Sequence, residues 1–435
     1  MLAALLAPAL ARRHVHYGWA VVGVTFLVML ATAAAMGMPG VLIRPLTAEF
    51  GWSTADISGA LALRLALYGA IAPFAAALLA RYGLRSVVTV AMLLIVAGLA
   101  LATRITALWQ LWLCWGVLVG IGTGLTAMVL GATVATRWFT ARRGLVTGLL
   151  TASSATGSLA FLPLAAWLAA HDGWRVALLP ATLACLAAGA LMVLIGRDHP
   201  AELGLPSFGE QTVAARPAGA GAGAARLALA TLGQAARTRA FWLLFGTFFV
   251  CGLSTNGLVG THFIPLCQDF GMAEVAAAGV LAMMGAFDFV GTIGSGWLSD
   301  RVDARLLLFA YYGLRGLSLL ALPFSSFTVY GLSLFAAFYG LDWIATVPPT
   351  VRLCAQIFGR ERAALVFGWV FAGHQLGAAV AAIGGGLSRD LLASYVPAFM
   401  TSGAICLLAA AAALGIRAAA PPPRPARAEG TPVAA

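Results

Sequence analysis

Charge is what this sequence most conspicuously lacks. Charged residues fill 9% of its 435 positions, hydrophobic residues fill 61%, and the mean hydropathy is +0.94. A soluble globular chain carries about 25% charged residues, so there are too few here to cover a water-facing surface. Soluble enzymes, disordered chains and secreted disulfide scaffolds are thereby excluded as classes. Lysine is missing altogether, and all 26 basic residues are arginine. The six cysteines (Cys114, Cys185, Cys251, Cys267, Cys354, Cys406) stand singly in apolar stretches, with no C-x-x-C pair and no histidine at ligand spacing. Neither a metal site nor a disulfide framework is expected, and no cofactor. The net charge of +11 would suggest nucleic acid in a soluble protein, but in a chain this apolar it reads as loop charge that sets membrane orientation.

What the chain has in abundance is apolar runs of about 20 residues, the length that crosses a bilayer core. Twelve can be drawn, at approximately 17–38, 55–79, 84–103, 107–136, 143–169, 174–196, 240–267, 275–298, 305–324, 327–356, 363–387 and 391–416. The expected fold class is an all-α membrane protein of twelve transmembrane helices. The first eleven residues are apolar but too short to span, and Arg12-Arg13 follows them instead of preceding them, so a cleavable secretory signal is not expected.

Sorting the arginines by loop tests the count, because cytoplasmic loops are enriched in them. With the N-terminus inside, twenty fall on the cytoplasmic side, four (Arg44, Arg104, Arg175, Arg389) on the outer side, and Arg64 and Arg315 within spans. A miscounted helix would invert every later loop and destroy that asymmetry. A bacterial inner-membrane protein with both termini cytoplasmic is therefore expected. The one long break, 197–239, contains Pro200, Pro206, Pro217 and an Ala/Gly run, and reads as a flexible cytoplasmic linker. It separates an N-terminal six-helix bundle (1–196) from a C-terminal one (240–416), and a Pro-rich tail at 417–435 reads as disordered.

Shifting the chain against itself by 220 residues superposes the two halves in places. Leu78, Arg81 and Arg85 fall on Leu298, Arg301 and Arg305, while Arg142, Leu145, Val146, Gly148, Ala152 and Gly157 fall on Arg362, Leu365, Val366, Gly368, Ala372 and Gly377. Pro45 and Phe50-Gly51 fall on Pro265 and Phe270-Gly271. Two pseudo-symmetric bundles related by an axis along the membrane normal are the architecture of a secondary transporter with a midplane site between its halves.

After span 8, Gly296-Trp-Leu-Ser-Asp300-Arg301-Val-Asp-Ala-Arg305 resembles the G-x-L-x-D-R-x-G-R-K loop of the major facilitator superfamily, with Asp303 where Gly is usual. The first-half copy ends in Ala80-Arg81-Tyr-Gly83-Leu-Arg85 and lacks the acid. Trp138-Phe139-x-x-Arg142-Arg143-Gly-Leu-x-x-Gly148-x-x-x-Ala152-x-Ser154-x-x-Gly157, entering span 5, is similar to the signature of the oxalate/formate and monocarboxylate transporter branch. Tyr17-Gly18-Trp19 is a partial match to that branch's span-1 motif. The resemblance implies alternating access by two rocking bundles, with Asp300, Arg301, Arg305 and Arg142 in structural or gating roles.

A charge at the bilayer centre costs about 2.5–3.5 kcal/mol on insertion scales, so those that are kept need a role or a partner. Arg64 and Tyr68 share a face of span 2 and could jointly bind a carboxylate, or Arg64 could pair with a carbonyl or with Asp56. In the resembled branch, span 8 carries an Asp followed four residues later by an Arg that meets the substrate carboxylate. This chain keeps Asp288 but has Thr292 at the Arg position. Asp288 reads as a proton site or as the ion-pair partner of Arg315 in span 9. Asp342, beside a backbone break announced by Pro348-Pro349, reads as a coupling or helix-packing acid. His374, Gln375 and Asn256 read as polar lining or as interhelical hydrogen-bonding groups, with His374-Gln375 standing against Ser154-Ala155 under the shift. His262 reads as an interfacial histidine or an outer gate.

The expected cargo is a small organic anion, a carboxylate, moved by proton symport or exchange by a monomer embedded in lipid, without nucleic acid. The alternative is an importer or exporter of a larger neutral or cationic compound, and the distant one a transporter-like receptor or assembly factor. With no nucleophile–base pair or metal cluster in view, an enzyme is not expected.

Overall fold

The computed structural model describes residues 2–126, 128–213, 221–299 and 301–417. Among these residues the chain is helical throughout, apart from short loops and one backbone bridge between Phe139 and Phe208. Ten helices are long and apolar enough to cross a membrane. Two further expected spans complete the set of twelve: the 29-residue helix Arg143–His171 and a broken span made of Ser333–Asp342 and Val347–Phe358.

In chain order, span 1 is Gly18–Gly37 continued by Pro39–Phe50, span 2 is Thr54–Tyr82, and span 3 is Leu84–Ala102. Span 4 runs through Leu108–Leu111, a π-helical stretch Trp112–Val119, Gly120–Leu125 and Met128–Trp138. Span 5 is Arg143–His171, and span 6 is Trp174–Ala177 with Leu179–Ile195. Span 7 is Arg239–Gly252, a π-helical stretch Leu253–Val259, and Gly260–Asp269. Spans 8 and 9 are Glu274–Ser299 and Ala304–Ala321; spans 11 and 12 are Arg360–Leu392 and Val396–Leu414. Large apolar side chains such as Leu183, Val290, Ile293 and Leu317 stay exposed on the outer faces of these helices, as expected where lipid and not water is the solvent.

The break in span 10 follows from its prolines. Pro348 and Pro349 lie in the first turn of Val347–Phe358, where a missing N–H is tolerated; further into a continuous helix each would remove a hydrogen bond.

The 220-residue repeat is a repeat of backbone geometry as well. Gly51 and Gly271 both end the first helix of their half in the left-handed region, at φ +69° and +80°. The amides of Arg85 and Arg305, equivalent under the shift, both donate to an aspartate, Asp198 at 2.8 Å and Asp303 at 2.9 Å. Asp198, from beyond span 6, thus serves this corner as Asp303 serves the other, where the first-half loop has Gly83.

The expected flexible linker is not featureless. Pro200–Leu203 forms a 3-10 turn, and Gly221–Ala235 is a helix that buries Ala228, Thr231 and Ala235 on one face. The Ala/Leu content of 224–232 supplies strong helix formers despite the flanking glycines. Trp369 of span 11 donates to the carbonyl of Ala228 at 2.9 Å, and Arg362 to Gln234 at 2.8 Å. Upstream, Phe208 exchanges backbone hydrogen bonds with Trp138, Thr140 and Ala141. The expected tail from 418 onward lies outside the described residues.

Candidate functional site

A central cavity of about 240 Å³ is lined from spans 1, 2, 4 and 5 of the first half and spans 7, 8, 10 and 11 of the second. Arg64, Tyr68, Asn256, Asp288, His374 and Gln375, dispersed over more than 300 positions of sequence, all line it. Arg315, Asp342 and His262 do not.

Arg64 enters from the first half. It is 3% exposed; its Nη1 donates to the carbonyl of Met36 at 3.2 Å, and its Nε is buried without a partner. No ion pair among the described residues includes it, so the sequence-level option of pairing with Asp56 is not taken. One helical turn on, the Tyr68 ring meets Phe371 edge-on at 5.7 Å, and Phe371 stacks on His374 at 5.6 Å. His374 also touches Phe248, with centroids 4.9 Å apart, and its Nδ1 contacts Gln375 Nε2 at 3.2 Å. Gln375 Oε1 is buried without a partner. The side chains of Ser154 and Ala155 lie outside those described.

Asp288 enters from the second half. Its Oδ1 accepts from the Ile344 amide at 2.9 Å and from Thr292 at 3.0 Å, so the Thr that replaces the branch's Arg serves the acid directly. Ile344 belongs to the break in span 10, and its amide turns to this carboxylate. Ser295, two turns along span 8, donates to the carbonyl of Ala345 at 2.5 Å. Span 8 therefore holds the break from one side.

Arg315 holds it from the other. Its Nε donates to Asp342 Oδ2 at 2.7 Å, its Nη2 donates to the carbonyls of Asp342 and Trp343, and its Nη1 reaches Cys251 Sγ at 3.0 Å. The cation sits where a helix C-terminus presents unpaired carbonyls. Of the two readings open for Asp288, the ion pair with Arg315 is not formed; Asp342 takes it, because the broken helix brings a carboxylate and free carbonyls to the same guanidinium. Tyr339 donates to the carbonyl of Ser254 at 2.8 Å, and Cys251 meets Thr346 at 3.2 Å, so the π-helical stretch of span 7 is tied to the same break. The roles of Ser295, Thr292, Tyr339 and Cys251 at the break escaped the sequence reading, because a lone polar residue in an apolar span does not announce its partner.

The remaining nominees lie elsewhere. His262 is fully buried instead of interfacial, with its Nε2 2.8 Å from the carbonyl of Ala382 and its ring against Tyr395. Arg142 precedes span 5 at φ +60°, its guanidinium 5.9 Å from the Phe208 ring. Arg301 and Arg305 line a second crevice beyond the cavity, and Asp300 lies outside the described residues. At the end of the molecule opposite the linker, Asp269 of span 7 pairs with Arg44 of span 1 at 2.6 Å and with Arg389 of span 11 at 3.2 Å. Asp390 accepts from the amides of Thr54 and Ala55 at 3.2 and 2.7 Å, so both halves meet across that face.

The family model described as Major Facilitator Superfamily matches residues 25–356. The chain belongs to the major facilitator superfamily. It is 29% identical over 398 residues to monocarboxylate transporter 13 of Bos taurus, covering 90% of this chain and 87% of that one. It is 25% identical over 299 residues to the MFS-type transporter YcxA of Bacillus subtilis (strain 168), covering 65% and 66%. Among solved structures, a bacterial homolog of the human lysosomal transporter Spinster, inward-facing and unoccupied, superposes with a TM-score of 0.69 over 92% of this chain and 97% of that one, at 14% identity. The superfamily assignment makes this chain a multi-pass membrane transporter of a small molecule and not an enzyme.

Proposed function

We propose that this transporter carries a small organic anion, a carboxylate, with Arg64 and Tyr68 binding the anion and Asp288 taking up an accompanying proton. The observation that carries this reading is Arg64, a buried guanidinium in the cavity wall that has one carbonyl acceptor and no carboxylate among the described residues. A cation kept at that depth needs a counter-charge, and its planar fork of donors matches a carboxylate bidentately. The monocarboxylate transporters among the relatives support the same class of cargo. Asn256, His374 and Gln375 supply polar contacts, and the unpartnered Gln375 Oε1 is available to a hydroxyl or amide of the cargo.

Asp288 faces the cavity from the opposite half and, among the described residues, takes its hydrogen bonds from neutral donors. Protonating it as the anion binds leaves the loaded site with little net charge, which favours symport over exchange. Asp342 is assigned with Arg315 to holding the break in span 10. A cavity of about 240 Å³ suits a small acid better than the larger compounds left open by the sequence. The arginine asymmetry supports a cytoplasmic linker and termini in a bacterial inner membrane, with the bundles 1–196 and 240–416 rocking about the segment between them.

Proteoliposomes with an inward proton gradient, offered a panel of radiolabelled mono- and dicarboxylates, test this. Gradient-driven uptake of at least one acid is expected, falling about tenfold or more in Arg64→Ala. Undiminished carboxylate uptake by that variant would sink the assignment.

A further inference from the structure

On the linker side of the second half, a crevice of about 470 Å³ opens between the ends of spans 8, 9, 10 and 12. Four guanidiniums line it, from Arg301, Arg305, Arg352 and Arg417, against the carboxylate of Asp303. Most of that positive charge is unspent. Arg305 is engaged by Asp303 at 2.5 Å. Arg301 lies over the Trp297 ring at 4.2 Å and gives one N–H to that residue's carbonyl at 3.1 Å. Arg352 makes a single 3.5 Å contact to the carbonyl of Val302. No ion pair among the described residues includes Arg301, Arg352 or Arg417. A guanidinium has five donors, so several have no partner among the described residues.

The first half shows how the equivalent corner is filled. The 220-residue shift carries Arg305 to Arg85 and Arg417 to Arg197. There Asp198, next to Arg197, sets its carboxylate on the amide of Arg85 at 2.8 Å and against Gly83, where any Cβ would collide with it. Position 418, the counterpart of Asp198, is alanine. In the second half Asp303 serves its own helix N-terminus and Arg305, and no second acid among the described residues stands at that place.

We infer that the crevice binds a phosphate group from outside the chain, the headgroup of an anionic phospholipid. Paired arginine forks match phosphate oxygens bidentately, and basic pockets between helix ends at a membrane surface are where such headgroups settle. A lipid is favoured over free phosphate because the crevice opens beside Trp297 and Leu306, which are 57% and 54% exposed and offer acyl chains an apolar surface. The wall behind the arginines, Leu353 and Ile416, is also apolar.

The purified full chain in neutral detergent is titrated with tetraoleoyl cardiolipin, with dioleoyl phosphatidylcholine, and separately with inorganic phosphate and glycerol phosphate. Thermal unfolding and native mass spectra are followed. Cardiolipin adducts and a raised Tm are expected where phosphatidylcholine gives neither, with binding weakened roughly tenfold or more in Arg352→Gln/Arg417→Gln. Arg226→Gln/Arg237→Gln removes the same charge from the linker and leaves binding unchanged. Equal cardiolipin binding by wild type and crevice variant, or an equal loss in the linker control, overturns the site. A Tm rise from inorganic or glycerol phosphate that equals cardiolipin's at the same concentration, and depends on Arg352 and Arg417, overturns the lipid as its source. Should the double variant not fold, Arg417→Gln alone, beyond the end of span 12, makes the same comparison.

Discussion

Arg315 and Asp342 meet at 2.7 Å with their side chains 0% and 7% exposed, so the acid of span 10 is turned toward span 9 and away from the cavity. The guanidinium also takes the carbonyls of Asp342 and Trp343, which makes this pair a clamp on the broken helix.

Removing one member of a buried pair strands the other. Arg315→Met or Asp342→Leu alone is expected to cost about 3–5 kcal/mol, while the double variant recovers most of that loss. Denaturant unfolding in mixed micelles, run as a double-mutant cycle, measures it. Single-variant losses no larger than those of exposed substitutions would show that the clamp is not structural.

Asp288 has two separable properties, an oxygen that accepts from Ile344 and a proton affinity. Asp288→Asn keeps an acceptor oxygen and should fold within about 1 kcal/mol of wild type, whereas Asp288→Ala leaves the amide of Ile344 unsatisfied at about 1–3 kcal/mol. In vesicles, Asp288→Asn should lose proton-driven accumulation yet still exchange internal for external anion. Intact accumulation in this variant would remove Asp288 from coupling.

Three glycines mark where helices cross too closely for a side chain. A Cβ on Gly252 would strike the carbonyl of His374, on Gly291 that of Leu341, and on Gly377 that of Phe249. Alanine at each should destabilise by about 1–3 kcal/mol. Alanine at Gly279 or Gly384, where nothing lies within 4 Å, should be neutral or slightly stabilising, and comparative melting of the five variants checks the contrast.

On the linker side, hydrogen bonds from the Arg305 side chain hold the Asp303 carboxyl at about 2, below its ordinary 3.8. A depressed carboxyl stabilises the fold fully above its unfolded value and loses that contribution as pH falls through its folded one. Asp303→Asn should therefore lower Tm by a constant amount between about pH 5 and 8, with the gap to wild type closing between about pH 4 and 2. A gap that instead widened in acid would contradict the ion pair.

The residues of the cavity could be read from the sequence because a charge inside an apolar run is conspicuous wherever its partners lie; Arg64 and Asp288 needed no fold to be noticed. Who pairs with whom could not be read. Asp288 and Asp342 both lie within reach of span 9 by topology, and only the unwound turn after Asp342, which brings two carbonyls to the same guanidinium, gives Arg315 to the latter. The break itself was announced by Pro348-Pro349, but its holders were not: Ser295 is unremarkable in sequence and acts through a carbonyl freed at the break, while Thr292, which stood out only as the position lacking an Arg, acts through the Asp288 carboxylate. The linker helix was obscured for another reason. Its glycines at 221 and 223 suggested a coil, while the stabilising contact, Trp369 to the carbonyl of Ala228, spans 141 residues of sequence.

The face opposite the linker is fastened in part by groups that water can replace. The Arg44 side chain is 45% exposed and that of Arg389 35%, and each partly solvated ion pair of this kind contributes only about 0–1 kcal/mol. The two amides that Asp390 covers are at a helix start, where solvent serves almost as well. Parting the halves there exchanges protein contacts for hydration at small cost, and added salt lowers that cost further. The balance between the two accessible states of this carrier should accordingly shift with ionic strength at that face, independently of the cargo.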